Sequence, residues 1–220
     1  MKKKVVVFGT GQFADVAAGY IFGMTDVELS AFTVDRAFIR EESFCDRPVV
    51  AFESLVETHP PDEYQLFLPI SYKQMNRLRE QKYFEAKERG YELFSYISPE
   101  AHIDPTVSIG EHCFIMEDNV LQRGVSVGSN CILWSGNHIG HHTTIANHCF
   151  IASHVVVSGS VSIGDSCFLG VNATLRDNVN VAPKTLIGAG ALVLEDTEEE
   201  SVHVGTKAKQ LNRRSIEVDI

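Results

Sequence analysis

Five of the chain's nine histidines fall within a short stretch: His138, His141, His142, His148 and His154. A histidine aimed into a groove can take a proton from an attacking nucleophile near neutral pH, so acid–base chemistry is expected here. His141 and His142 hold the third and fourth places of Ile139-Gly-His-His-Thr-Thr, at an expected turn where side chains leave the core. His112, His148 and His203 read as exposed turn residues. Cysteine offers a second chemistry, but Cys113, Cys131, Cys149 and Cys167 recur every 18 residues without the close pairing of a metal site. They read as a reduced ladder of small inward residues. Thiols in an apolar core are poor nucleophiles, which argues against a covalent cysteine intermediate. Unpaired cysteines also suit a cytoplasmic location. Cys45 falls in a loop and receives no role.

A third set lies near the start. Gly9-Thr-Gly-Gln-Phe-Ala14 approximates G-x-G-x-x-G, with Asp35 closing the next apolar run. Such glycines let backbone N–H groups and a helix N-terminus approach a phosphate, and the acid can meet a ribose hydroxyl. The motif alone is weak, since any tight strand-to-helix turn uses glycine. Lys73, Asn76, Arg77 and Arg79 follow a later strand at the same edge and could hold a diphosphate or sugar; a basic turn on a solvated helix is the plainer alternative.

The elements that must position these groups fall into two parts. Up to residue 98, strands are expected at Lys4–Gly9, Val27–Val34, Tyr64–Leu68 and Tyr91–Ile97. Helices are expected from the glycine loop to Phe22, over Phe52–Thr58 and over Lys73–Arg89. Alternating strands and helices predict a small, Rossmann-like parallel α/β sheet. From residue 99 the rule changes. Every sixth residue from Ile103 to Val193 is aliphatic, without a slip. That period is the hexapeptide signature of a parallel β-helix, three hexads to a coil. Ile109-Gly-Glu-His-Cys-Phe, Val127-Gly-Ser-Asn-Cys-Ile, Ile145-Ala-Asn-His-Cys-Phe and Ile163-Gly-Asp-Ser-Cys-Phe, 18 residues apart, should stack on one face at about 4.8 Å per coil. The expected division is 1–98 and 99–220.

Composition bounds the partners. A net charge of −10 argues against nucleic acid or an anionic membrane surface. No apolar run approaches a membrane span, and Gly9, Gly11, Gln12 and Asp15 interrupt the first apolar run too early for a signal peptide.

The two-part design resembles the bacterial nucleotide-sugar acetyltransferases of the left-handed β-helix class, in the branch of sialic acid O-acetyltransferases and bacillosamine N-acetyltransferases. The resemblance rests on Val5–Ala14, Ser98-Pro-Glu-Ala101, Gly136–Ile145, Gly159–Ile163, Gly170–Asp177 and Gly188–Val193. It implies a homotrimer transferring acetyl from acetyl-CoA to a nucleotide-linked sugar, of the 4-amino-dideoxy type, in bacterial surface-glycan (lipopolysaccharide) synthesis. The small domain would bind substrate through Gly9, Gly11, Gln12, Phe13, Asp35, Lys73, Asn76 and Arg79, with His138 contributing from the β-helix. His141 would be the general base, with His142 beside it. Gly159, Gly170, Asn172, Ala173, Gly188, Ala189 and Lys207 would hold CoA, and the Gly159 N–H would face the oxyanion; tight packing of narrow coils is the plainer role of the small residues. No metal is implied. Three departures stand out. His142 occupies the place of the family's acidic residue, which leaves the group orienting His141 open. Phe150 aligns with a second family histidine, for which His154 is the open alternative, and Gly205-Thr-Lys-Ala-Lys209 lacks the family's proline.

Other classes fit parts of the sequence. The same fold supports sugar O-acetylation. It also supports zinc-dependent, carbonic-anhydrase-like trimers, for which His138, His141, His142 and His154 would supply imidazoles. A non-catalytic nucleotide-binding trimer would need no CoA site.

Overall fold

In the computed structural model, which describes residues 2–210, 212 and 214–217, the sixfold spacing becomes a left-handed parallel β-helix of two-residue strands. The strands form three sheets of six, five and seven. Pairing runs at a separation of one coil, as in His138 with Val156, Thr144 with Ser162 and Phe150 with Phe168. Face one runs from His102–Ile103 to Leu192–Val193, face two from Ser108–Ile109 to Asn180–Val181, and face three from Tyr96–Ile97 to Val202–His203. A coil passes from face one through residues 141–142 to face two, through 147–148 to face three, and through 153–154 back to face one. The 141–142 corner is therefore the vertex opposite face three.

Place-one aliphatics fill the column. Leu121, Leu133, Ile139, Ile145, Ile151, Val157 and Leu169 are buried together with the four cysteines, each worth about 1.5–3 kcal/mol of transfer free energy. The thiols stay free and donate to carbonyls across the coil, as from Cys131 Sγ to Ala146 O at 3.1 Å. Burial pushes the Cys131 thiol well up.

The corners explain the histidine cluster. Every sixth residue from His112 to Gly190 takes φ between +56° and +78°. Only glycine is unstrained there, with Asn, Asp and His the side chains best tolerated. His112, His142, His148 and His154 occupy this place; His141 does not. Glycine at place two answers a different need. A Cβ on Gly140 would lie 2.5 Å from the Ser158 carbonyl carbon, so the next coil could not approach.

The N-terminal domain is a five-stranded sheet ordered β3-β4-β2-β1-β5: β1 Lys3–Phe8, β2 Val27–Val34, β3 Ser43–Phe44, β4 Arg47–Ala51 and β5 Tyr64–Phe67, with α1 Gln12–Phe22, α2 Leu55–Thr58 and α3 Arg77–Glu88. All pairs are parallel except β3 with β4. Two expectations are corrected. The segment Tyr91–Ile97 does not add a strand to this sheet. Leu93 makes one bridge to Leu66, whereas Tyr96–Ile97 pairs with Phe114–Ile115 as the first rung of face three. The helix expected over Lys73–Arg89 begins only at Arg77, because Gln74, Met75 and Asn76 all have positive φ.

The domains are packed together. Phe114, Ile132 and Phe150 point outward from face three and share a core with Val5, Val7, Ala14 and Ala17 of β1 and α1. Among the described residues, no helix is long and apolar enough to cross a membrane.

Candidate active site

In the α/β sheet the chain builds β2 and β4 on one side of β1, then returns to place β5 on the other. The crevice between the carboxyl ends of β1 and β5 is thus the switch point where such sheets bind ligands. A cleft of about 820 Å³ opens there, lined by Gly9, Gly11, Gln12 and Phe13 after β1, Ile70, Ser71, Tyr72 and Lys73 after β5, and Trp134 and Phe150 from face three. Gly11 caps α1 in extended backbone without a side-chain hydrogen bond, leaving the helix N-terminus open to a ligand. Phe13 stacks on Trp134, with ring centroids 5.4 Å apart.

Tyr72, Trp134 and Phe150 also wall a second groove of about 360 Å³, which continues along face three past Ser153, Phe168, Gly170, Val171 and Ala189. A cleft at a helix terminus, where backbone N–H groups and Lys73 are available, thus runs into an apolar groove floored by small residues. Sequence reasoning missed Tyr72, Trp134 and Phe168; the single tryptophan next to Gly136–Ile145 was the available signal.

Of the residues expected to meet substrate, Gly9, Gly11, Gln12, Phe13 and Lys73 come together here. Four others do not. Asp35 accepts from Lys82 Nζ at 2.6 Å and lines no part of the cleft. His138 lies on face one. Asn76 and Arg79 are fully buried because they dock the domains. Asn76 Nδ2 donates to Ser166 O and Cys167 O at 3.2 and 3.0 Å. Arg79 donates to His148 O at 2.8 Å, Cys149 O at 3.1 Å and Asn130 O at 3.3 Å, and to Asn76 Oδ1 and the Ile70 carbonyl. Burial lowers its pKa to about 10. A guanidinium bound this way has no face left for a phosphate.

His112 and His148, expected to be exposed, are buried at the same seam. The Leu68 N–H donates to His112 Nε2 at 2.9 Å, so the ring's proton is on Nδ1, which donates to Asn130 Oδ1 at 2.8 Å. Asn130 Nδ2 donates to His148 Nδ1 at 2.7 Å. The last ring nitrogen, His148 Nε2, lies 3.9 Å from Glu80 of α3. Burial pushes the His112 imidazole down to about 3.

The expected cofactor residues also divide. Gly170 and Ala189 line the groove, and Asn172 is exposed at the corner beside it. Ala173 does not reach the groove; it is fully buried in the column. Gly188 packs toward the His203 carbonyl, and Lys207 is exposed near the C-terminus. Gly159 lies elsewhere, beneath His141: a Cβ there would meet His141 Cε1 at 2.5 Å and Nε2 at 2.7 Å. The His141 ring therefore rests on a glycine seat. Its backbone N–H donates to Gln122 Oε1 at 2.9 Å, and its Nδ1 is 3.1 Å from His142 Nδ1. Both histidines are exposed, at the vertex opposite the cleft. Among the described residues of one chain, no three His, Cys, Asp or Glu side chains gather as a metal would need.

The family model for the GMPPB C-terminal domain matches residues 94–190, most of the β-helix. No curated protein matches the sequence. Solved structures match almost end to end. The acetyltransferase domain of PglB from Neisseria gonorrhoeae FA1090 is 25% identical, with a TM-score of 0.83 over 96% of this chain and 100% of that one. It has also been solved in complex with acetyl coenzyme A. A mutant of perosamine N-acetyltransferase from Caulobacter crescentus, in complex with CoA and GDP-perosamine, is 26% identical, with a TM-score of 0.82 over 94% of this chain and 95% of that one. WeeI from Acinetobacter baumannii AYE, at 17% identity and a TM-score of 0.80 over 93% and 97% of the two chains, shares the fold. Across both domains, this chain is similar in structure to bacterial nucleotide-sugar acetyltransferases built on a left-handed β-helix.

Proposed function

We propose that this protein transfers an acetyl group from acetyl-CoA to the amino group of a nucleotide-linked sugar, in synthesis of a bacterial surface glycan. The observation that carries this reading is the continuity of the two clefts. A diphosphate at the Gly9–Phe13 loop and the α1 N-terminus would direct the attached sugar toward Trp134 and Phe150. The same two side chains open the small-residue groove, whose apolar lining suits a pantetheine arm. The end-to-end similarity to structures carrying acetyl coenzyme A, or CoA with GDP-perosamine, supports the same pairing of ligands.

The chemistry follows from the available groups. The amine nitrogen attacks the thioester carbonyl carbon, and His141 Nε2 takes the nitrogen's proton. The tetrahedral intermediate collapses, the C–S bond breaks, and the departing CoA sulfur receives the proton. A covalent cysteine step is disfavoured, because the four stacked thiols are buried and hydrogen-bonded to carbonyls. With His141 opposite the clefts of its own chain, a complete site requires the 141–142 corner of a neighbouring copy, which is the structural case for the homotrimer.

The test is direct. Purified protein incubated with acetyl-CoA and UDP-, dTDP- or GDP-linked amino sugars should release CoA thiol with one nucleotide sugar class. His141→Ala should lower kcat on the order of 10^2- to 10^4-fold while CoA still binds, as followed by calorimetry. A fully active His141→Ala protein would end the assignment of the base.

A further inference from the structure

The unassigned partner of His141 is the ring beside it. We infer that His142 positions the base, through a hydrogen bond between two neutral imidazoles; this rests on the function proposed above. The two Nδ1 atoms lie 3.1 Å apart, and such a contact exists only when one Nδ1 carries a proton and the other does not. For His141 to accept a proton at Nε2, its own Nδ1 must carry the N–H. His142 Nδ1 is then the acceptor, and its single proton resides on Nε2.

Four features of the corner hold this arrangement. The His142 backbone adopts φ +58°, which swings its side chain back along the column. Its ring packs over Gly124 on the coil below, where a Cβ would come within 3.0 Å of His142 Cδ2. The His141 ring rests against Gly159 of the next coil along the chain, and the His142 N–H donates to Arg123 O at 2.9 Å. Two glycines thus leave room for two rings facing each other. Few charges surround the pair: Arg123 on the coil below, Asp177 two coils above, and His138 on the adjoining strand of face one. Among the described residues, neither ring hydrogen-bonds a carboxylate that would do the work of His142.

A neutral orienter has a consequence that a carboxylate lacks. Protonating His142 at Nδ1 sets two N–H groups against each other and breaks the contact, while protonating His141 at Nε2 removes the base. Activity therefore requires both rings to be neutral, and the acid side of the kcat–pH profile should approach a slope of two.

The test compares His142→Gly, which deletes the ring without straining the left-handed corner, with His142→Asp, which restores an acceptor that carries charge. His142→Gly should lower kcat roughly tenfold to a hundredfold, a part of the effect of the base itself. KM for both substrates should stay unchanged, and the acid slope should fall to one. His142→Asp should recover most of kcat, also with a slope of one. Wild-type kcat and slope in His142→Gly would overturn the inference while leaving His141 as base if His141→Ala remains inactive. The pair can also be read without turnover. Ring 15N–1H correlation spectra of the intact protein should show N–H on Nδ1 of His141 and on Nε2 of His142. The opposite tautomers, or two Nε2–H rings, would refute it even if no sugar substrate is found.

Discussion

Two glycines fix the geometry of one imidazole pair, and this makes the residue scale unusually testable. Gly159 has no conformational need for glycine; its value is the space beneath His141. A methyl at 2.5 Å from Cε1 is closer than any real carbon contact, so the ring must tilt. Gly159→Ala should lower kcat at least about tenfold, since small misplacements of catalytic groups are costly. Acetyl-CoA affinity and thermal stability should change little, as checked by steady-state kinetics beside calorimetry and thermal melts. If CoA affinity falls instead, the backbone at residue 159 contributes to the cofactor site. The same residue scale shows why a cluster of histidines is a poor signal by itself. Three of the five are at places where backbone φ is positive, and His, like Asn and Asp, is tolerated there for steric reasons.

At the scale of elements, the decisive object is the turn before α3 and its docking onto the β-helix corner. Gln74, Met75 and Asn76 wind left-handed, which directs Asn76 and Arg79 into the stack of carbonyls at residues 130, 148, 149, 166 and 167. The His112–Asn130–His148 chain fastens the same seam from below β5. His112 is buried and neutral, with a folded pKa of about 3 against the ordinary value near 6.5. The unfolded chain takes up a proton as pH falls through that ordinary value, and the folded chain does not. Stability should therefore be full above about pH 6.5 and decline below it. The slope should be up to about 1.4 kcal/mol per pH unit for this residue, continuing toward pH 3. The lowered pKa of His148 adds in the same direction. Urea denaturation from pH 8 to 4, compared with His112→Gln, measures this; the variant should show the shallower slope. Equal slopes would mean that His112 charges without penalty.

At the scale of the molecule, the cleft and the 141–142 corner lie on opposite sides of a triangular column. The cleft lies on face three and His141 at the opposite vertex, so the proposed function requires two copies to build one site. This predicts complementation. His141→Ala keeps the cleft and loses the base. Gly11→Trp keeps the base and fills the cleft, because the Cβ position of Gly11 opens on free space. Each protein alone should be nearly inactive. After unfolding and refolding in equal mixture, about a quarter of the sites in random trimers join an intact cleft to an intact histidine. Activity should return to that extent, measured by thiol release. No recovery would place the whole site within one chain.

The sequence by itself determined the β-helix and the glycine loop, because both are written in local spacing. A period of six with an aliphatic residue at each step allows one way to bury that side chain, and Gly9-x-Gly11 directly after an apolar run allows few turns. Residue identity along the chain was therefore enough to place Gly9, Gly11, Gln12, Phe13 and Lys73 at one edge. Only the tertiary structure decided the fate of Asp35, Asn76, Arg79, His112 and Ala173, because Asp35 is set by a lysine 47 positions later in the same domain and the others by what lies across the domain seam or inside the column. Arg79 shows why. On a helix wheel it is one more basic residue, and nothing local reveals that carbonyls more than fifty positions later will surround its guanidinium. Long-range contacts also removed Tyr96–Ile97 from the sheet it follows in sequence. Periodicity reports which side chains must be buried; which partners bury them is settled by the packing of distant segments.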